Sequence, residues 1–139
     1  MFLGTGDYHL DSKGRVILPA EYREELGGSF YLTMGFHRCV QVMSVAAFDR
    51  LREQIRLLPA DQALSLQYLL ISPAKSVSPN SQGRISIPQK LREDAGLCDE
   101  VTVVGMDTRI EIWDKAVFAA FMEQQKQASV KEALELLRL

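Results

Sequence analysis

The segment Asp11-Ser12-Lys13-Gly14-Arg15-Val16-Ile17-Leu18-Pro19 returns 69 residues later as Asn80-Ser81-Gln82-Gly83-Arg84-Ile85-Ser86-Ile87-Pro88. Each copy contains a polar turn with a glycine, then an arginine, a short apolar run and a proline. Arg23 matches Arg92 at the same offset, and matches further along the chain occur at an offset of 70. This internal period indicates a tandem duplication, and the shared Gly-Arg pairs place the expected function in the two loops.

Composition limits the class of protein. The chain has 139 residues, 47% of them hydrophobic, which fits one ordinary domain or two small fused units that must pack on each other or on other chains. No apolar run approaches the ~20 residues of a membrane span, so no membrane association is expected. The net charge is −2, shared equally by the parts before and after Ser72. Binding of nucleic acid would therefore need positive charge that is concentrated locally or multiplied by oligomerisation.

Hydrophobic patterning predicts the same order of elements in both copies: strand, loop, strand, short helix, two strands and a helix. Val16 and Leu18 alternate with the equally apolar Ile17, which predicts a strand buried on both faces. Four short strands cannot bury two faces alone, so the copies are expected to pair in one small sheet assembly. We divide the chain into a first repeat (5–47), a helical connector (48–73), a second repeat (74–117) and C-terminal helices (118–139).

Polar residues mark the expected helix starts. Ser44 and Asp114 are predicted N-caps of the helices that follow the strand pairs, and Asp61 is the predicted N-cap of a connector helix. Ser129 opens a capping-box pattern before a last helix with one apolar face. That face is expected to pack on this chain or on a neighbouring one.

The loop residues have the chemistry of DNA contacts. The planar guanidinium groups of Arg15 and Arg84 can bond a guanine edge or a phosphate bidentately, whereas Lys13 supplies a compact charge suited to phosphate. Gly14 and Gly83 permit a positive φ and a close approach of the backbone to another molecule. A two-stranded element that carries such loops is narrow enough to enter the major groove.

A second set of residues is expected to organise the loops. Asp11 and Asn80 can bond nearby backbone amides and fix the turns, and Arg23 and Arg92 are expected to brace the loops from their short helices. The alternative is that the loop arginines serve the fold, by pairing with Asp11 or with Glu111.

Several motifs in order support a family resemblance. A strand, a D-x-x-G-R loop, a strand ending in proline, a short helix and two strands resemble the swapped-hairpin DNA-binding unit of the SpoVT/AbrB class. Two tandem copies, the start Met1-Phe2-x-Gly4, the segment 11–15 and the ending Arg109-Ile110-Glu111-Ile112-Trp113-Asp114 after Gly105 are together similar to the MraZ family. The resemblance covers Met1 to about Gln127.

The resemblance implies a mainly β, α+β fold, in which tandem swapped-hairpin units form a pseudo-twofold small β-barrel with flanking helices. It also implies a regulator of the bacterial division and cell-wall gene cluster, including its own operon, found in the cytoplasm and associated with the nucleoid. Ring-shaped homo-oligomers would bind direct repeats in double-stranded promoter DNA. The second loop departs from the family pattern with Asn80 and Gln82.

Two other classes of function stay open. The chain could form a protein-interaction ring that keeps the fold but has lost DNA binding, in line with its acidic charge. A small hydrolase or metal enzyme would have to use His9, His37 and Cys39, which lack the close spacing of four zinc ligands. We therefore expect no catalytic residues, cofactor, metal or small-molecule substrate, and we expect Cys39 and Cys98 to be reduced and mostly buried.

Overall fold

A computed structural model describes residues 1–139, which form eight strands, six α-helices and one π-helical turn. The first repeat contains β1 (Thr5–His9), β2 (Arg15–Ile17), α1 (Ala20–Leu26), β3 (Phe30–Met34) and β4 (Val40–Met43). The connector holds α2 (Val45–Arg56), which begins within the first repeat, α3 (Ala60–Leu66) and the π-helical turn (Gln67–Ile71). The remaining elements are β5 (Lys75–Val77), β6 (Arg84–Ser86), α4 (Gln89–Ala95), β7 (Glu100–Met106), β8 (Arg109–Asp114), α5 (Lys115–Gln127) and α6 (Val130–Glu135).

Each antiparallel sheet contains strands of both repeats, which makes this an α+β protein with a mainly β core. The larger sheet has the order β1-β7-β8-β4-β3-β5, and β2 pairs with β6 in a separate two-stranded ribbon. Strand β1 of the first repeat lies beside β7, and β5 of the second repeat lies beside β3. Neither repeat completes a sheet by itself, so each depends on strands from the other.

The main core is likewise built by both repeats. Its fully or almost fully buried side chains all come from strands, or from the short segments and helices next to them, and they include Val16, Leu18, Phe30, Leu32, Val40, Val42, Ile85, Ile87, Leu91, Val101, Ile110 and Ile112. Trp113 is buried in a smaller cluster under α5, where Phe118 and Phe121 pack against it. None of the helices is long and apolar enough to cross a membrane.

Two predicted helix caps are confirmed. Ser44 accepts a hydrogen bond from the amide of Ala47 at 3.2 Å, and Asp114 accepts one from the amide of Val117 at 3.1 Å. The capping-box prediction is wrong, because the Ser129 side chain makes no cap bond. Helix α6 is exposed over its whole length, so its apolar face does not pack on this chain.

The predicted cap at Asp61 is also wrong. Pro59 occupies the cap position of α3, and its carbonyl accepts the amide of Ala63 at 2.9 Å. Proline has a fixed φ and no amide hydrogen, so it suits the start of a helix and moves the cap two residues upstream. Asp61 lies instead in the first helical turn.

Two burial predictions also differ from the structure. Ile17 is 46% exposed although Val16 and Leu18 are fully buried, because the core covers only one face of the ribbon that contains β2. Cys39 is buried as expected, but Cys98 is exposed at the surface.

Burial on one face of the ribbon can be tested with two isoleucines on neighbouring strands. Ile85→Ala removes a fully buried side chain and should lower the free energy of unfolding by about 2–5 kcal/mol. Ile17→Ala, on the exposed face, should change it by less than about 1 kcal/mol. Denaturant unfolding measures both values, and equal losses would contradict one-sided burial.

Candidate nucleic-acid interface

The first loop is organised by a single carboxylate. Oδ1 of Asp11 accepts hydrogen bonds from the amides of Lys13 and Arg15, both at 2.9 Å. The Gly14 amide donates to the Asp11 carbonyl at 3.0 Å, and the Asp11 amide donates to the Arg15 carbonyl at 2.9 Å. These bonds close a tight turn that places Lys13 at the exposed tip and Arg15 at the start of β2.

The second loop has the same backbone pattern without the charge. Oδ1 of Asn80 accepts from the amides of Gln82 at 2.9 Å and Arg84 at 3.0 Å. The Gly83 amide donates to the Asn80 carbonyl, and the Asn80 amide donates to the Arg84 carbonyl, both at 2.9 Å. An amide oxygen can accept these bonds as a carboxylate does, so the change from Asp to Asn preserves the turn.

Each loop is completed by the opposite repeat. The Ile87 amide donates to the Gly14 carbonyl at 3.0 Å, and the Leu18 amide donates to the Gly83 carbonyl at 3.2 Å. Together with the β2–β6 pairing, these bonds hold the two loops at one site. The two Gly-Arg pairs, 69 residues apart in the sequence, are thereby brought together.

The backbone conformation favours glycine in both loops, and an arginine side chain occupies the space beside each glycine. Gly14 has φ +74° and Gly83 has φ +78°, in the left-handed region that side chains rarely adopt. A Cβ atom on Gly14 would lie 2.5 Å from Nε of Arg92, and one on Gly83 would lie 2.8 Å from Cζ of Arg23. Both contacts are far shorter than van der Waals separation.

Arg23 and Arg92 therefore lie against the loops of the opposite repeat. Nε of Arg23 donates to the Leu18 carbonyl at 3.0 Å, and Nε of Arg92 donates to the Ile87 carbonyl at 2.9 Å. These bonds anchor each guanidinium group at the end of a ribbon strand. The geometry favours a loop-organising role for both arginines.

Asp11 interacts with both loop arginines. Its Oδ2 atom lies 2.7 Å from Nε of Arg15 and 3.2 Å from Nη1 of Arg84, and all three side chains are about one quarter exposed. Arg84 also donates through Nη2 to Gln82, while its buried Nε has no partner. Two guanidinium groups around one carboxylate leave an excess of positive charge, to which the exposed Lys13 adds.

The same contacts alter the acidity of Asp11. The hydrogen bond from the Arg15 amide is the largest cause, and with the Arg15 side chain and the Lys13 amide it lowers the pKa of Asp11 from 3.8 to about 2. Partial burial opposes this shift without cancelling it. The carboxylate therefore stays ionised under ordinary conditions.

Of the two internal partners considered for the loop arginines, Asp11 is confirmed and Glu111 is wrong. Glu111 is buried and bonds Nη2 of Arg109 at 3.1 Å and Nε1 of Trp113 at 2.9 Å. It belongs to the larger sheet, away from the β2–β6 ribbon.

The residues considered for catalysis or metal binding do not form a metal site. His37 packs on the ring of Phe121 at 4.8 Å, whereas His9 is exposed beside Asp99. Burial, assisted by the negative charge of Glu111, raises the pKa of the Cys39 thiol to about 12, so it is a poor nucleophile. No group of three or more His, Cys, Asp or Glu side chains is placed to hold a metal ion.

The outward face of the ribbon contains two further residues that sequence reasoning did not select. Ile17 and Ser86 alternate with buried positions and are exposed beside the loop arginines. The two-residue period of a strand could have predicted that both side chains face outward. The apolar character of Ile17 instead favoured burial in the core.

Substitution of the loop glycine should destabilise the fold. Gly14→Ala forces a side chain into the left-handed region against Arg92, and it should lower the free energy of unfolding by at least about 1 kcal/mol. The control is Gly28→Ala, at an exposed position with no atom near the added Cβ, which should change it by no more than about 0.5 kcal/mol. Denaturant unfolding that gave equal values would contradict the constraint on Gly14.

The acidity of Asp11 predicts a pH dependence of stability. Because the folded-state pKa is depressed, the stabilisation is present above 3.8 and is lost as the pH falls towards about 2. Asp11→Asn should be less stable than the wild type near neutral pH, and this difference should shrink across that interval. Unfolding measured at several pH values tests this, and a constant difference would contradict the lowered pKa.

Comparison with known proteins identifies the family of this chain. The family model described as "MraZ protein, putative antitoxin-like" matches residues 1–65 and 70–138. A protein of Micrococcus luteus named transcriptional regulator MraZ is 42% identical over 130 residues, which cover 92% of this chain and 91% of that protein. One of the same name from Thermobifida fusca is 39% identical over 139 residues, covering 99% and 97%. With this match along nearly the whole chain, the protein belongs to the MraZ family.

Proposed function

We propose that this chain is a non-enzymatic, sequence-specific DNA-binding transcription regulator. The observation that carries the proposal is the outward ribbon face, where Arg15 and Arg84 from the two repeats meet at Asp11. The name shared by the relatives, transcriptional regulator, supports the same function. The genes controlled would be the bacterial division and cell-wall cluster, including its own operon, and the protein would act in the cytoplasm on the nucleoid.

The ribbon would enter the major groove with its outward face towards the bases. A two-stranded ribbon fits this groove, and arginine can bond O6 and N7 of guanine with two nitrogens. Exposed Lys13 would contact phosphate. Gly14 and Gly83 are buried beside the guanidinium groups of Arg92 and Arg23, so they would shape the loops and would not themselves contact DNA. Asp11, Asn80, Arg23 and Arg92 would hold the loops in place.

The two arginines differ in how many of their terminal nitrogens already form hydrogen bonds within the protein. The Arg15 side chain donates through Nε to Asp11, which leaves its two terminal nitrogens available for a base. Arg84 uses both terminal nitrogens, on Asp11 and Gln82. We therefore assign the main base contact to Arg15 and a secondary contact to Arg84.

Oligomerisation would supply the affinity that one acidic chain lacks. With a net charge of −2, a single copy gains little from the general attraction to DNA, whereas a ring of copies on direct repeats adds many phosphate contacts. The exchange of strands between repeats supports tandem swapped-hairpin units forming a small pseudo-twofold barrel. The division into two repeats (5–47 and 74–117), connector (48–73) and C-terminal helices (118–139) belongs to this proposal.

Binding to a duplex carrying the DNA upstream of this protein's own gene tests the function. The wild type should prefer it over a shuffled duplex, and its affinity should fall steeply with salt. Arg15→Ala should weaken binding by about 1–3 kcal/mol per contact and relax base preference. Arg52→Ala, on α2 and outside both loops, is the matched control and should bind as the wild type does.

Two results would count against the proposal. Unchanged affinity and base preference in Arg15→Ala would remove the assigned base contact. Weak and equal binding of the wild type to both duplexes at every salt concentration would favour a protein-interaction ring with the same fold. The acidic net charge and the uncharged residues Asn80 and Gln82 in the second loop give this second function its weight.

A further inference from the structure

The outward face of the β2–β6 ribbon consists of four side chains, two from each strand. Arg15 lies opposite Ser86, and Ile17 lies opposite Arg84. Between them, Val16 and Ile85 point to the core and are fully buried. Successive outward side chains on one strand are therefore Arg15 and then Ile17, with Arg84 beside Ile17 on the partner strand.

Ile17 is the one apolar side chain on this otherwise polar face. It is 46% exposed, while the residues on either side of it in the sequence are fully buried. An exposed isoleucine is ordinary by itself. Its position is informative because cross-strand neighbours have Cβ atoms about 4.5–5.5 Å apart, so whatever approaches Arg84 also meets Ile17.

We infer that Ile17 reads the C5-methyl group of a thymine in the major groove, next to the bases contacted by the loop arginines. This inference rests on the proposed function. Among the four bases only thymine presents an apolar group in that groove, and an aliphatic side chain is its natural contact. The guanidinium groups beside Ile17 cannot recognise this group, because they can only donate hydrogen bonds.

Strand geometry gives the expected position of that thymine. Residues i and i+2 on one face are roughly 6.7 Å apart along a strand. This is about two base steps of ~3.4 Å each. The thymine should therefore lie about two base pairs from the base bound by Arg15.

The equivalent position in the second repeat has different chemistry. Ser86 occupies the place of Ile17 69 residues later, and its hydroxyl can both donate to and accept from any base edge. The methyl contact is therefore confined to the end of the ribbon that carries Ile17. The two ends of the same ribbon read different groups.

Deoxyuridine tests the inference, since it pairs as thymine does and lacks only the methyl group. On the duplex upstream of the protein's own gene, replacing every thymine with deoxyuridine should weaken wild-type binding about fourfold for each methyl group that is contacted. Ile17→Ser should bind the thymine duplex about as weakly as the wild type binds the deoxyuridine duplex, with no further loss on the latter. Ile17→Val should keep most of the preference for thymine.

A matched control separates this effect from general loss of apolar surface. Val45 is also branched, is 44% exposed and lies outside the ribbon, so Val45→Ser should remain as sensitive to the methyl group as the wild type. Thermal melting verifies that each variant is folded. Replacement of one thymine at a time then locates the contacted thymine relative to the guanine that Arg15→Ala no longer prefers.

The outcomes distinguish this inference from the proposed function. Preferential binding by the wild type that is indifferent to deoxyuridine would overturn the role of Ile17 and leave the regulator intact. Equal sensitivity to deoxyuridine in the wild type and Ile17→Ser would place the methyl contact elsewhere and also overturn it. Absence of preference for the upstream duplex would remove the proposed function, and the inference with it.

Discussion

The whole site depends on hydrogen bonds that each loop receives from the other repeat. The carbonyls of Gly14 and Gly83 accept amides from the opposite ribbon strands, and a guanidinium group from the opposite repeat occupies the space beside each glycine. Either loop alone would lose a backbone partner and the side chain that supports it. The same exchange extends through the larger sheet, where β1 and β5 lie beside strands of the other repeat. Loop shape, ribbon and core thus form one cooperative unit.

Asp11 breaks the symmetry of this unit. Both loops fold with the same backbone bonds, but only one supplies a carboxylate, and that carboxylate holds an arginine from each repeat. A second carboxylate at Asn80 would reduce the remaining positive charge at the face. The asparagine keeps the turn while leaving the surface attractive to an anion. This local excess matters because the chain as a whole is acidic.

Local features of the fold could be predicted from the sequence. The turns, the starts of α1 and α4 after proline, and the caps at Ser44 and Asp114 depend on bonds between residues a few positions apart. The interaction between Arg84 and Asp11 spans 73 residues and requires the strand order to be known. The exposure of Ile17 could not be predicted for the same reason, since it depends on which face of the β2–β6 ribbon the core covers.

Joining the two repeats in one polypeptide has a consequence for how this ribbon can change. If the same interleaved sheet were assembled from two identical chains, its stability would depend on their concentration, and each substitution would occur twice. Here the partner strands are covalently linked, so the sheet forms at any dilution. A change at position 17 leaves position 86 untouched. One repeat can therefore acquire a new surface while the other preserves the old one. The two ends of the ribbon then differ, so the ribbon has a polarity that an exact twofold dimer lacks.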